Sequence, residues 1–410
     1  MSTFSLPVTA STDVGSVRAF HIIDVSRQTG RAIAFVPAGA QRTAAKLLMP
    51  IANPTAPYRD RPHTRPSQHR LYNPNLRLCI VIGAWGYLVL VLAAWVLLGL
   101  AGDRWWPATL LTFGPRWLVL VPCPILALAA RSFERRLLAP VLLAAALGAG
   151  PVMGFCVCWG SLTGATPIEN VALLRVVTLN AGEGGTVPEV VGGFVKSERP
   201  DVLIVNEWPS AASELCPCLP AGWHVAEHQN TAVFSRYPIK SVEKLGPDRF
   251  RKPWRAPALR CELETPSGTI YVVGLHLDTP REGLEAIRES LWNAGAQMEQ
   301  MAEDRRSESE LASQMAAESI EPVIVAGDFN MPVDSTLYKR YWSRWQNAFS
   351  TAGLGYGQTK FTRFFGIRID HVLASQEWQV LTARVGPNLG GDHRPVVVDL
   401  QLKQESKAGP

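Results

Sequence analysis

The chain has 410 residues, 47% hydrophobic and only 18% charged. That rules out a single small domain and wholesale disorder, and it points to a portion that lives in lipid. The net charge of +5 divides unevenly: residues 1–160 carry 15 Lys and Arg against 5 Asp and Glu, and the remainder 25 against 30, so the basicity belongs to the N-terminal part. Seven cysteines without a CxxC pair give no zinc-ribbon signal.

Residues 1–76, with Pro50, Pro54, Pro57, Pro62 and Pro66 and little periodicity, read as a poorly ordered tail. Three membrane spans are then expected over residues 77–160. Leu78 to Gly102 is uncharged, and its 25 positions exceed the roughly 20 needed to cross the hydrocarbon. A second apolar stretch, Trp105 to Ala130, is interrupted by Arg116 and four prolines, so its limits are placed nearer Trp117 to Phe133. The third runs from Leu137 to about Trp159, with Gly148, Gly150 and Gly154 available for close helix contact. A buried helical hairpin is the bland alternative, and uncharged runs this long exceed ordinary core helices.

Lys and Arg near the spans set an orientation. Arg59, Arg61, Arg65, Arg70 and Arg77 precede the first span, and Arg131, Arg135 and Arg136 lie between the second and third, against Arg104, Arg116 and Arg175 on the other side. The positive-inside rule therefore puts the N-terminus in the cytoplasm and, after three spans, the remainder outside it. The expectation is a multi-pass cell-membrane protein whose partner is the bilayer, with no obligate protein partner evident.

After position 170 short β-branched runs recur: Leu173–Leu179, Val202–Val205, Thr231–Phe234, Thr269–Leu275, Val323–Ala326, Ile369–Ala374 and Val396–Leu400. One long helix is predicted from Arg281 to about Ser319, with Leu284, Ile287, Leu291, Ala294 and Met298 on a common face. The alternation gives a layered α/β fold for residues 171–402, followed by a tail at 403–410. Asn180, Glu207, His276, Asp328, Asp370 and Asp392 fall at or just beyond apolar strands, so several strand ends would converge on one site.

Carboxylates and amide oxygens without thiolates suit a hard cation, Mg²⁺ or Mn²⁺. Histidines beside surplus carboxylates can move protons at neutral pH. Together these are what phosphoryl hydrolysis needs. Ser235 lies in no G-x-S-x-G elbow, which removes the serine-hydrolase reading. The absence of a GHxH block and of the aspartate downstream of GDFN counts against a two-metal calcineurin-like phosphoesterase.

The ordered strings VVTLN ending at Asn180, DVLIVNE ending at Glu207, AVFSRYPI, VVGLHL around His276, VIVAGDFN from Val323 to Asn330, RIDHV around Asp370 and GDHRPV around His393 resemble the endonuclease/exonuclease/phosphatase superfamily over residues 171–402. With its three spans the chain is similar to the membrane-anchored bacterial branch. The resemblance implies a four-layer α/β/β/α sandwich, two packed mixed β-sheets flanked by helices, preceded here by three transmembrane helices. It also implies roles. Glu207, Asn180 and Asp392 match the metal-binding set. His393 matches the histidine that activates water or contacts the phosphate, and Asp370 the carboxylate that orients it. Asp328 and Asn330 match the pair that positions the nucleophile and binds phosphoryl oxygens, and His276 a histidine on the phosphate or leaving-group side. Which histidine is the base stays open. Gly391 and Asn206 depart from the serine and glutamine common at those positions, with altered supporting hydrogen bonds as the expected effect.

Other residues carry weaker readings. Asp278 reads as a turn residue before Pro280, and His371 as a packed or solvated histidine on the opposite strand face. Arg249, Arg251, Lys252, Arg255 and Arg260 around Trp254 could grip a phosphate or form a solvated loop. In an oxidising compartment one disulfide is expected, most simply to Cys261, with Cys216 and Cys218 as the alternatives for its partner. The expected function is a membrane-anchored, Mg²⁺-dependent phosphoesterase acting on nucleic acid or phospholipid headgroups. The alternative is a non-catalytic membrane receptor or scaffold that keeps the fold.

Overall fold

The computed structural model describes residues 20–27, 30–37, 74–157, 167–169, 171–182, 185–208, 215–252, 256–288, 290–319 and 322–403. A separate unit holds an antiparallel hairpin, β1 (Phe20–Arg27) and β2 (Gly30–Pro37), inside the segment read as a tail. The rest of that segment up to residue 73, and residues 404–410 of the C-terminal tail, lie outside the described residues, while residues 74–76 already belong to the first helix.

In the second unit, α1 (Pro74–Ala101) is followed by α2 (Trp106–Phe113), which Gly114 and Pro115 end. A 3-10 turn (Arg116–Leu120) leads into α3 (Pro122–Phe133), then α4 (Leu138–Leu147), which continues as a π turn over Gly148–Val152. Among the described residues, three stretches are long and apolar enough to cross a membrane: Pro74–Ala101, Arg116–Phe133 and Arg135–Val152. The third stops short of the expected Trp159, because Pro151 sits in its last turn and Cys156–Val157 (β3) pairs as a short strand with Leu354–Gly355. Small residues Ala84, Ala130, Val141 and Ala144 fill the contacts between these helices, while Ile82, Val89, Ile125 and Leu128 face outward. Of the three glycines expected at close contacts only Gly148 makes one among the described residues, its Cβ position lying 2.9 Å from Leu120 Cδ2; Cβ positions at Gly150 and Gly154 meet nothing there within 4 Å.

The remainder forms two six-stranded mixed sheets. In the first, β4 (Leu174–Asn180) and β5 (Val202–Asn206) run parallel at the centre, joined through α5 (Pro188–Glu198). Antiparallel neighbours are β6 (His224–His228) and β7 (Thr231–Ser235) on one side and β17 (Trp378–Val385) and β18 (Val396–Leu402) on the other. In the second sheet, β10 (Gly268–His276) and β11 (Val323–Asp328) are the parallel pair, flanked by β8 (Ile239–Lys244), β9 (Ala258–Thr265), β16 (Asp370–Ala374) and a short β12 (Gln346–Asn347).

Most central strands are buried along their whole length because each sheet is covered on both faces. Val176, Ile204, Val233, Leu263, Val272, Ile324 and Val398 fill the space between the sheets. The outer face of the first sheet packs on Val191, Phe194 and Val195 of α5. That of the second packs on Ala312, Met315 and Ala316 of α7 (Leu291–Ala317). This is the expected four-layer sandwich.

Two expectations are corrected. The helix foreseen from Arg281 to Ser319 breaks into α6 (Arg281–Glu285), a 3-10 turn (Ala286–Arg288) and α7. Leu284 and Ile287 meet Ala294 and Met298 because the chain folds back between them, and together they cover Trp106 and Leu110 of α2. A common stripe in sequence becomes two facing stripes. Cys261 makes no disulfide; its thiol is fully buried in the inter-sheet core, where burial pushes its pKa up to about 12. Cys218 is likewise free.

Candidate active site

Parallel pairing puts the C-terminal ends of β4, β5, β10 and β11 on one rim, and antiparallel β16 starts there. The register sets Asn180 beside Asn206, His276 beside Asp328, and Asp328 beside Asp370. Two consecutive strand ends in each sheet therefore deliver polar side chains to one place.

Asn180 is the hub of the first half. Its Nδ2 donates to Glu207 Oε1 and to Asp328 Oδ2, both at 2.9 Å, and its Oδ1 accepts from Gly182 N at 2.8 Å. Glu207 follows β5 with φ +54°, a left-handed conformation that costs a non-glycine residue and turns its carboxylate toward the rim. His276 Nε2 lies 3.1 Å from Glu207 Oε1. Burial works to raise the pKa of Glu207. The hydrogen bond and charge of His276, aided by Asn180 and the charge of His393, outweigh it and hold the carboxyl at about 2.

Asp328, fully buried, joins the two halves. Its Oδ1 accepts from Asn330 N at 2.8 Å, and Asn330, itself at φ +48°, donates Nδ2 to Leu277 O at 2.9 Å. Burial, then the Asp370 charge, raises Asp328 to about 6 against the opposing pull of His393 and His276. His393 Nδ1 lies 2.9 Å from Asp370 Oδ2, and its Nε2 lies 3.9 Å from both Asp328 Oδ2 and Asp392 Oδ1. Asp392, whose side chain is 49% exposed, accepts from Lys360 Nζ at 2.7 Å.

Among the described residues, two groups of side chains could hold a cation: Glu207, His276 and Asp328, and Asp328, Asp370 and His393. Asp392 is in neither, although it was grouped with Glu207 and Asn180 from the sequence. The donor set of carboxylates and imidazoles without thiolate fits a hard divalent ion, and the buried Asp370 Oδ1, which has no hydrogen-bond partner, is an oxygen that such an ion or a water can satisfy.

A family model described as the endonuclease/exonuclease/phosphatase family matches residues 177–393, more than half of the chain and nearly all of this rim. The chain belongs to that family. Members of the family are generally phosphoester hydrolases. Among solved structures, an endonuclease/exonuclease/phosphatase from Beutenbergia cavernae is 19% identical, over 56% of this chain and 72% of that one, with a TM-score of 0.43. A Bacteroides vulgatus family protein is 17% identical, over 57% and 100%, with a TM-score of 0.44. TDP2 of D. rerio complexed with a single-strand DNA product is 12% identical, over 56% and 99%, with a TM-score of 0.44. No curated protein matches.

The two departures from the family pattern have local causes. A Cβ at Gly391 would stand 2.8 Å from Thr186 Oγ1 and 2.9 Å from Ala181 O, so a serine does not fit there without a shift. Asn206 Oδ1 accepts from Asp328 N at 3.0 Å while its Nδ2 donates to Thr231 Oγ1 at 2.9 Å, so the shorter amide ties the two sheets directly beneath the site.

Lys360 and Thr359 were missed in the sequence. Lys360 Nζ lies 2.9 Å from His393 Nε2 as well as touching Asp392, and Thr359 Oγ1 accepts from Asp370 N at 3.1 Å. Both sit at the base of a hairpin, β14 (Lys360–Phe361) and β15 (Gly366–Ile367), and a lysine in such a segment reads as a surface residue. An ammonium has no acceptor, so this contact belongs to a neutral His393 with its proton on Nδ1. Burial and the Lys360 charge push His393 down, but the charge and hydrogen bond of Asp370 and the charge of Asp328 prevail, to about 9. A protonated Nε2 and the Lys360 ammonium therefore exclude each other from this position.

Other readings resolve plainly. His371 is packed, with Nε2 3.0 Å from Met331 O. Asp278 is more than a turn residue: it is buried and pairs with Lys252 at 2.7 Å. Arg251 pairs with Asp304, and Arg260 with Glu243, so these members of the basic stretch are held by acids; Arg255 lies outside the described residues.

Proposed function

We propose that this chain is a membrane-anchored, divalent-metal-dependent phosphoesterase that hydrolyses a phosphate ester with activated water. The observation that carries the reading is the unbroken chain of contacts from Glu207 through Asn180 and Asp328 to His393 and Asp370. Glu207 and Asp328, both braced by Asn180, would hold Mg²⁺ or Mn²⁺, whereas Asp392, assigned to the metal by the resemblance, is paired with Lys360. When bound, such an ion neutralises charge on the phosphate. His393 takes a proton from water at Nε2, and Asp370 steadies the imidazolium through Nδ1. Asn330 keeps a second amide N–H for a phosphoryl oxygen. His276 returns a proton to the departing oxygen, so that water and ester become an acid phosphate and an alcohol.

Several contacts support an arrangement with the hydrolytic domain, residues 171–402, on the side of the membrane opposite the N-terminus. Arg77 and Glu134 pair at 2.8 Å, so the start of α1 and the α3–α4 connection share one end, which is also the arginine-rich one. Asp103, between the first two spans, and Cys156–Val157, after the third, meet the hydrolytic domain at the other end.

The same contacts favour a phospholipid headgroup over a nucleic acid as substrate. Loops bordering the site, including Pro332, Tyr356 and Phe365, line a cavity of about 130 Å³ with Trp117, Pro151 and Met153 of the membrane helices. Much of the basic stretch that a polyanion backbone would use is already paired with acids.

Mg²⁺-dependent release of nitrophenol from bis-nitrophenyl phosphate, lost in Glu207→Ala and His393→Ala, tests the chemistry. Unchanged turnover in both removes the site assignment, and no turnover by the wild type favours the receptor alternative. Sphingomyelin and phosphoinositide vesicles compared with DNA and RNA test the substrate class. Protease accessibility in intact cells tests the sidedness.

A further inference from the structure

The loop that leaves β11 at Asp328 carries Asn330, and within a few residues it is gripped by the membrane helices. Arg116 Nη1 and Nη2 donate to Asp334 Oδ2 and Oδ1 at 2.5 and 3.0 Å, a fork-on-fork pairing. The rest of the guanidinium is held from the membrane side: Nε and Nη2 donate to Thr112 O at 3.1 and 2.8 Å, and Nη1 to Val152 O at 3.1 Å. One arginine thus joins the end of α2, the end of the third span and the loop four residues beyond Asn330.

A second grip lies beside it. Asp103 Oδ2 accepts from Ser335 Oγ at 2.5 Å and from Leu337 N at 3.3 Å, at the start of α8 (Thr336–Tyr341). The fully buried Arg305 of α7 approaches Asp103 Oδ1 at 3.7 Å. A tether needs neither grip. A flexible linker after the third span would hold the domain at the membrane equally well.

We propose that Arg116 is a positioning residue for the hydrolytic site. By holding Asp334 it fixes the loop that presents Asn330 beside Asp328, so the membrane helices are part of the catalytic scaffold. The proposal rests on the phosphoesterase reading above. Small displacements of positioned groups cost large factors in rate, which sets the expected effect.

The test uses the full-length protein in nanodiscs, with Arg116→Gln, Asp334→Asn and Asp334→Glu. We expect Arg116→Gln and Asp334→Asn each to lower kcat on bis-nitrophenyl phosphate by about tenfold to a hundredfold with KM within about twofold. Amide exchange should rise in residues 329–337 and stay unchanged in residues 370–374. Asp334→Glu, which keeps the ion pair, should recover much of the rate. An unchanged kcat in Arg116→Gln, or exchange rising equally in both segments, overturns the proposal. If Arg116→Gln does not fold, Asp334→Asn reads the same clamp from the hydrolytic side. If the wild type shows no turnover, the phosphoesterase reading fails by itself, and exchange of residues 329–337 in the two variants still decides whether the clamp exists.

Discussion

Asp370 Oδ2 and His393 Nδ1 are 2.9 Å apart, and both side chains are almost completely shielded from water. Thr359 holds the Asp370 backbone in place, so the carboxylate can steer the imidazole without moving itself. Asp370→Asn keeps the shape and removes the charge that stabilises an imidazolium. We expect turnover to fall by about a hundredfold or more. Initial rates at saturating Mg²⁺ measure the change; full rate in Asp370→Asn would show that His393 needs no carboxylate.

Lys360 stands against the nitrogen through which His393 would accept a proton, and its charge lowers the pKa of that ring. Lys360→Met removes that influence, so the pKa of His393 rises. A general base works only when deprotonated, so the acidic limb of the kcat/KM profile should move to higher pH, and the rate at pH 7 should drop. An acidic limb that stays in place in Lys360→Met would mean that His393 is not the titrating base.

What could be read in the sequence depended on whether a residue's signal was local. Asn180, Glu207, His276, Asp328 and Asp370 each close or open an apolar run, and strand direction alone carries such residues to one rim. Recurring apolar strands beside a long helix gave only a layered α/β fold; the two packed sheets came from the resemblance of the ordered strings to a known family. Lys360 was invisible because its position depends on a two-residue bridge to His393, formed only after the sheets pack. The end of α6 at Glu285 was missed because Leu284, Ile287, Ala294 and Met298 fit one helical stripe as well as two facing ones. The Arg116–Asp334 pair spans 218 residues, and charge counting assigned that arginine only to membrane orientation.

Gly327 precedes Asp328 with φ +148°, a region that side chains rarely enter. A Cβ there would lie 1.8 Å from Leu275 O, on the adjacent parallel strand. β10 and β11 would have to separate just where they present His276 and Asp328. Gly327→Ala is therefore expected to cost roughly 3 kcal/mol or more, lowering the melting temperature by about 10 °C, with activity lost together with stability. A melting curve within about 2 °C of wild type would contradict the close approach.

His371 shares a strand with Asp370 but faces the helical layer, with its ring 5.2 Å from that of Phe329 and 5.3 Å from that of Tyr338. Its Nε2 donates to Met331 O and its Nδ1 accepts from Asn347 Nδ2. Burial, then the Arg368 charge, pushes its pKa down to about 3, so the ring is neutral in the folded protein. Unfolded, it titrates near 6.5 and binds its proton first, so its contribution to stability is complete above about 6.5 and is lost as pH falls from there toward 3. The loss should reach roughly 3 kcal/mol by pH 4. His371→Gln removes this titration, so its stability should fall less steeply than that of wild type between pH 6.5 and 4. Denaturation midpoints at half-unit steps of pH measure the difference. Parallel curves for the two proteins would mean that His371 takes up its proton without disturbing the packing behind Asp328.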